Sequence, residues 1–431
     1  VVHGIGKCKK STAPKSSMKI DQNRLKRQQQ VIQRWTKCGR RGTLEAVTGF
    51  GKTYVALLIL KDLHEQKPDG TALVIVPTTN LKKQWSDKCE EMGLTNVTVL
   101  VINTAVKRSH TCDLLVLDEI HNYTSEVFGK IFEQATYKYI LGLTATLDRE
   151  DMRHYLIEKV APVIDTVTLK EAVENAYVSK FLVLNLGLRM SDQEEKEYKE
   201  IVDQYYKHFA LFNNRFNIAM SCMQNASYRY TYTKTLSGWN ETEVLNKARA
   251  WHRAMQSRMR FIYNSTTKQD AAKALIEMYD VPTITFSQSV NFAVSLDKQT
   301  QPWSKAYHSK ITKYKRQAIL EDFADPRTDT RIIHTARALD EGFDVNGIEL
   351  AIVCSGSSTP RQDLQRTGRA IRFQPDKLGV IVNLYLRDTQ DEKWLKKRQT
   401  KTTGVQYVHS LQEISGLVGN ALLRNPSAYH I

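Results

Sequence analysis

Ala46-Val47-Thr48-Gly49-Phe50-Gly51-Lys52-Thr53 is the stretch that decides how this chain folds. A strand-compatible Leu44–Val47 runs into it, and the helical pattern of Tyr54–Leu60 runs out of it. Glycines in such a turn let backbone N–H groups converge on an anion, and the start of the helix adds a partial positive charge. The stretch therefore predicts a phosphate-binding loop, with Thr48, Gly49, Gly51, Lys52 and Thr53 around the phosphates of a nucleotide. In that pattern Lys52 reaches the β- and γ-phosphates, and Thr53 ligates Mg²⁺. Its natural partner is Leu114-Leu115-Val116-Leu117-Asp118-Glu119-Ile120-His121, an apolar strand delivering two carboxylates at its C-terminal end. Open α/β sheets bind ligands at that edge. Asp118 is expected to hold Mg²⁺ through water, and Glu119 to polarise the attacking water.

Working outward, residues 21 to about 162 alternate short β-rich runs (Ala72–Val76, Val97–Ile102, Leu114–Leu117, Tyr139–Leu143) with helical stretches such as Tyr54–Glu65 and Asn80–Met92. That alternation means a parallel sheet covered on both faces. From about Ser191 to Thr266 it stops, and Glu194–Phe212 and Thr242–Tyr263 read as helices. It resumes at Thr283–Phe286, Arg331–Thr335, Leu350–Cys354 and Val380–Leu384. The fold class expected is α/β, two parallel-sheet domains joined by a helical connector. The division expected is a flexible basic tail over 1–20, a first domain over 21–175, a connector over 176–265 and a second domain with a C-terminal extension over 266–431.

The second half carries Gln365-Arg366-Thr367-Gly368-Arg369-Ala370-Ile371-Arg372. Arg369 and Arg372 are three apart, hence on one helix face, and two guanidiniums there suit the charge that develops on a triphosphate. A solvated basic helix is the plainer alternative. Asp340-Glu341-Gly342-Phe343-Asp344-Val345 supplies an acidic turn that is either a loop or a contact to ribose or a Mg²⁺-bound water. Thr78, after Pro77 at the end of one strand, is a hydroxyl placed to meet a nucleic-acid backbone, and Thr144, at the end of another, can link the Asp-Glu pair to nucleic acid or to the other domain. Thr104, beyond the next strand, belongs to the same candidate set. Ordinary capping turns are the competing reading for these threonines.

Sixty-two Lys and Arg stand against 46 Asp and Glu, a net +16. An excess of this size favours polyanions, above all nucleic acid. The six cysteines show no metal-ligand spacing and read as reduced thiols of a cytoplasmic protein. The apolar runs fall far short of the ~20 residues that span a bilayer, and no secretory signal is expected. The connector interleaves Tyr228, Tyr230, Tyr232, Trp239 and Trp251 with Arg229, Lys234, Lys247, Arg249, Arg253, Arg258 and Arg260. Aromatics among cations suit base stacking with backbone contact. The arginines, Arg253, Arg258 and Arg260 above all, are the expected phosphate contacts, and the tryptophans are expected to be core. The alternation Tyr228–Tyr232 leaves a β-hairpin open.

Taken in order, these motifs resemble those of a superfamily 2 helicase over roughly Leu25 to Arg372. The DEIH and GLTAT spellings, Tyr307-His308-Ser309 and Glu341–Val345 are most similar to the XPB-like and phage UvsW-like branch. The resemblance implies two RecA-like domains with ATP and Mg²⁺ between them, and 3′-to-5′ movement along one strand. It puts Lys52, Thr53, Asp118, Glu119 and His121 in the first half of the ATP site. Gln365, Arg369 and Arg372 fall in the second half, and Gly342 and Asp344 in the segment that couples the two. An adenine-reading glutamine falls in Leu25-Lys26-Arg27-Gln28-Gln29-Gln30, with Gln29 the expectation and Gln28 the alternative. The leading expectation is an ATP-dependent DNA helicase, acting as a monomer on forked, Holliday-junction or R-loop DNA. The alternatives are a duplex translocase subunit of a restriction-type complex, an RNA helicase and a non-hydrolysing clamp.

Overall fold

The computed structural model describes residues 15–125, 127–145, 155–178, 181–336, 347–355, 379–399 and 405–422. Its first sheet has the order β3-β2-β4-β5-β1-β6, all parallel, from β1 (Arg41–Ala46), β2 (Ala72–Val76), β3 (Val97–Val101), β4 (His110–Asp118), β5 (Ala135–Thr144) and β6 (Val163–Val167). Alternate residues feed opposite faces. Val74, Val116 and Leu141 point into one apolar core, while Leu73, Leu115 and Ile140 point into the other. A sheet buried on both sides needs helices on both, which is why its strands read as continuous apolar runs. The coverings are α1 (Lys15–Lys37), α2 (Lys52–Gln66), α3 (Thr79–Glu91) and the short α4 (Ile102–Ala105), α5 (Ile131–Gln134), α6 (Tyr155–Val160) and α7 (Leu169–Glu174).

Helix α1 begins at Lys15, so the last residues of the expected basic tail are helical. No glycine or proline interrupts the chain between Lys15 and Lys37, and an amphipathic face then carries the helix into its dock. Val31 and Trp35 are buried, and Trp35 Nε1 donates to the Ile140 carbonyl. Arg27 forms a two-pronged ion pair with the buried Asp165 at 2.7 and 2.8 Å, and its Nε donates to Glu171 at 2.8 Å. Arg34 adds a third cationic contact to Asp165.

The second sheet, also all parallel, has the order β13-β7-β12-β11-β8-β10-β9. Its strands are β7 (Phe181–Leu188), β8 (Thr283–Ser287), β9 (Ser304–His308), β10 (Ile332–Ala336), β11 (Leu350–Val353), β12 (Gly379–Leu386) and β13 (Val405–Val408). Strand β7 enters this sheet before the helical stretch, pairing residue by residue with β12. The helical stretch is thus an excursion out of the second sheet, between β7 and β8. It holds α8 (Asp192–Phe209), α9 (Phe216–Gln224), α10 (Ala226–Thr233) and α11 (Glu241–Asn264). Helices α12 (Thr266–Tyr279), α13 (Val290–Thr300), α14 (Lys313–Ala324), α15 (Gln390–Arg398) and α16 (Leu411–Leu422) accompany the strands that follow.

The excursion has its own core of Tyr205, Phe209, Phe212, Cys222, Val244 and Trp251, with Phe209 stacked on Trp251 at 5.1 Å. Trp251 is core, as expected, and Trp239 packs against the same cluster. Tyr228–Tyr232 is not a hairpin but the middle of α10. Asn225 caps that helix by accepting from Tyr228 N, and Tyr228 and Tyr232, four apart, stack one above the other. At the base of the excursion, the Glu194 carboxylate accepts from the Thr266 and Thr267 backbone, fastening the start of α8 to the start of α12.

Candidate ATP and nucleic-acid site

The loop between β1 and α2 has the backbone its glycines predict. Gly49 and Gly51 sit at φ +91° and +94°, a region other residues enter only with strain. Gly51 is the N-cap of α2 and brings no side-chain acceptor, so the first N–H groups of the helix are left for an anion. A Cβ at Gly51 would come within 2.5 Å of Gln28 Nε2. Lys52 Nζ donates to the Ala46 carbonyl at 2.8 Å, which holds the ammonium inside the turn.

The register of the sheet brings the carboxylates level with this loop. Asp118 pairs with Leu143, and Leu143 with Leu44, two residues before the end of β1. Asp118 is buried, with Oδ2 accepting from Trp85 Nε1 at 2.8 Å and Oδ1 accepting from Glu119 N at 3.1 Å. Burial pushes its pKa up, while the indole donor and nearby Lys52 pull it back. Glu119 takes a left-handed backbone at φ 52°, ψ 50°. That costs a non-glycine residue about 1–2 kcal/mol, and strain of this kind is typical of functional turns. The turn swings the side chain to within 3.4 Å of His121 Nδ1, and His121 in turn lies 2.9 Å from Thr144 Oγ1. The Tyr123 hydroxyl lies 2.7 Å from the Asp118 carbonyl and 3.1 Å from the Ile75 carbonyl, tying the ends of β4 and β2 together.

A converging helix N-terminus, an inward ammonium, a threonine at the first turn and a buried carboxylate are the donor set that a Mg²⁺–triphosphate requires. Hard oxygen ligands suit that ion, and the residues fit it.

Other expected residues fall out as follows. Gln28, not Gln29, faces the phosphate loop. Gln28 is buried and donates to the Phe50 carbonyl at 2.7 Å, whereas Gln29 is exposed. The helical repeat explains it, because 28, 31 and 35 share the buried face of α1 and 29 lies about 100° away. Thr78 is the N-cap of α3, accepting from Leu81 N at 3.3 Å, and Pro77 beside it is half-buried. Thr104 is exposed on α4, and Thr144 is buried against His121. Arg253 and Arg260 are exposed on α11. Arg258 is not: it is buried, its guanidinium stacked 4.1 Å over the Tyr205 ring, and it serves the core of the excursion instead of its surface. Gly342, Asp344, Gln365, Arg369 and Arg372 lie outside the described residues. Trp85, which the site uses, went unnoticed in the sequence. Its signal was the stripe Leu81, Trp85, Cys89 on the inner face of α3.

Comparison with known proteins agrees with this geometry. Residues 22–111 and 98–149 match the family described as the res subunit of type III restriction enzymes, and residues 267–374 match the helicase conserved C-terminal domain. The chain is a superfamily 2 helicase. As such it is an ATP-dependent enzyme. A DNA 3′-5′ translocase XPB2 of Sulfurisphaera tokodaii is 27% identical over 391 residues, covering 86% of this chain and 83% of that protein. Yeast Dbp5 bound to RNA and ADP BeF3 superposes with a TM-score of 0.59 at 14% identity, over 92% of this helicase and 93% of that chain. The Pyrococcus furiosus Hef helicase domain does so with a TM-score of 0.55 at 15% identity, over 88% and 98%. These likenesses carry the RecA-like fold of both domains. Among the described residues, no helix is long and apolar enough to cross a membrane.

Proposed function

We propose that this helicase is a Mg²⁺-dependent DNA motor that moves 3′ to 5′ along one strand and remodels forked, Holliday-junction or R-loop DNA. The observation that carries the reading is the juxtaposed phosphate loop and Asp118–Glu119 turn, together with kinship to a DNA 3′-5′ translocase. The basic surface of α11 adds support, since between residues 204 and 264 the only carboxylates are Glu241 and Glu243. Both belong to the first turn of α11, and Glu243 completes its capping box.

In this reading the bound nucleotide supplies the phosphoanhydride whose cleavage drives movement. Thr48, Gly49 and Gly51 shape the phosphate cradle and Lys52 neutralises its charge, while Thr53 and Asp118 would hold Mg²⁺, which would offset the charge of the phosphates. Gln28 takes the adenine-reading role. Glu119 accepts the proton of the attacking water at its carboxylate, and His121 and Thr144 fix its direction. Gln365, Arg369 and Arg372 complete the site from the second domain, with Gly342 and Asp344 transmitting between the two. Pro77, Thr78 and Thr104 meet the DNA backbone directly, as do Arg253 and Arg260 on the excursion. Thr144 acts from beneath.

The test is steady-state ATPase activity with single-stranded DNA, duplex DNA, a four-way junction and RNA as separate activators. Strongest stimulation by the junction, with strand exchange in the same tube, is the expected result. Stimulation by RNA alone would overturn the DNA assignment. Turnover on duplex without strand separation would reduce the helicase to a translocase.

A further inference from the structure

Trp85 stands apart from the other buried aromatics. It is 1% exposed, and apolar packing alone would not call for an N–H there. What distinguishes it from Trp35, whose indole donates to the Ile140 carbonyl, is its acceptor: the donor-only N–H points at the carboxylate oxygen Asp118 Oδ2 from 2.8 Å. A charge-assisted bond of this kind fixes a carboxylate's orientation more firmly than a neutral one does. The other oxygen is engaged by the Glu119 backbone N–H, so the plane of the Asp118 carboxylate is set by two donors from two different elements.

The element that brings the indole is α3. It starts at the Thr78 cap, directly after Pro77 and the end of β2. That turn is where a nucleic-acid backbone is expected to sit. Lys82, Lys83 and Lys88 lie along the same helix, and Leu81, Trp85 and Cys89 seat it on the core. A push on the Pro77–Thr78 turn therefore moves a helix whose indole is bonded to the metal-holding carboxylate. The Tyr123 hydroxyl, between the Asp118 and Ile75 carbonyls, keeps the strand ends in register, so relative motion falls on the side-chain bond.

We propose that Trp85 is a positioning residue that couples nucleic acid on the Pro77–Thr78 turn to the orientation of Asp118. The proposal rests on the function given above. Bound nucleic acid shifts α3, the indole N–H re-aims the carboxylate, and the Mg²⁺ site tightens without any change in the groups that touch the nucleotide.

Two measurements test it. Replacing Trp85 with 3-benzothienylalanine, in which sulfur stands where the indole has its N–H, keeps the bicyclic ring and loses only the donor, where a phenylalanine would also leave a cavity in the core. The variant's melting temperature should stay near the parent's, its KM for ATP should hold, and its half-saturating Mg²⁺ concentration should rise about 5- to 10-fold. Its nucleic-acid stimulation should fall by a similar factor. A fold-only role predicts parental Mg²⁺ dependence and stimulation, and that result overturns the proposal. The second measurement needs no turnover and no variant. In the parent's indole ¹H–¹⁵N spectrum the signal most broadened by Mn²⁺·ADP is expected to be Trp85's. It should shift when a single-stranded oligonucleotide is added with neither nucleotide nor metal present. Oligonucleotide binding by anisotropy with that signal unmoved sinks the coupling alone. Absence of any nucleic-acid binding sinks the proposed function, and the coupling with it.

Discussion

Asp118 in the first sheet and His334 in the second are both buried titratable groups, and the two sheets hold them in opposite ways. Asp118 receives an indole and a backbone N–H and has Lys52 nearby, so its surroundings work to keep a charge where burial alone would remove it. His334 sits between two hydroxyls, 2.9 Å from Thr285 Oγ1 and 2.8 Å from Thr300 Oγ1, and burial drives its pKa down to about 3. Its surroundings tolerate only the neutral ring. The strand ends of the second sheet continue that theme. Ser287 lies against the Thr335 carbonyl, and Ser355 accepts from Gln288 N. Where the second domain does bury charge, Lys268 and Asp391 neutralise each other beside the end of β12, whereas Asp118 is held by an indole and a backbone N–H.

Removing the aimed charge should give the largest effect. Glu119→Gln is expected to lower kcat by about 10²- to 10⁴-fold, the range for loss of a general base, while nucleotide binding by equilibrium titration is retained. Turnover near the parent rate would place the water-activating group elsewhere. Next comes the anchorage of the first domain. Arg27→Ala leaves Asp165 buried with only the half-exposed Arg34, and breaking such a pair costs about 3–5 kcal/mol. Chemical denaturation should find that loss and, because Gln28 rides on the same helix, a raised KM for ATP.

The second sheet should answer to pH instead. The folded pKa of His334 lies below the ordinary value of about 6.5, so between there and about 3 the unfolded chain binds a proton that the folded chain refuses. Stability therefore drops as pH falls through that window, by up to about 1.4 kcal/mol per pH unit. His334→Gln should flatten that slope in thermal melts at pH 4.5–7, and an unchanged slope would assign it to other groups. The smallest effect belongs to the excursion. Replacing Arg253 and Arg260 with glutamine should reduce the salt slope of DNA binding by about 1–2, leaving the ATPase without DNA unchanged. An identical slope would free α11 of any phosphate contact.

Much of this molecule could be read from its residues because the chemistry lies at the ends of short apolar strands. Ala72–Val76 is legible to the residue, and so are the places of the glycine loop between β1 and α2 and of the DEIH turn at the end of β4. What escaped notice depended on distance along the chain or on facing. Strand β7 is apolar but for Asn185 and Gly187, and its pairing with β12 nearly two hundred residues later leaves no local sign, so the connector expected over 176–265 runs across it. Arg258 differs from Arg253 and Arg260 only in its phase on α11, and that phase turns it toward Tyr205. Tyr228–Tyr232 alternates as a strand would, until the Asn225 cap makes it helical.

The fastening of Glu194 to the start of α12 has a mechanical corollary. With its base fixed to the second domain, the excursion is a lever. Helix α11, at 24 residues, is about 36 Å long. Each degree the second domain turns would then carry the far end of α11 about 0.6 Å. A turn of ten degrees would sweep it by about 6 Å, the length of about two nucleotide steps along a B-form strand.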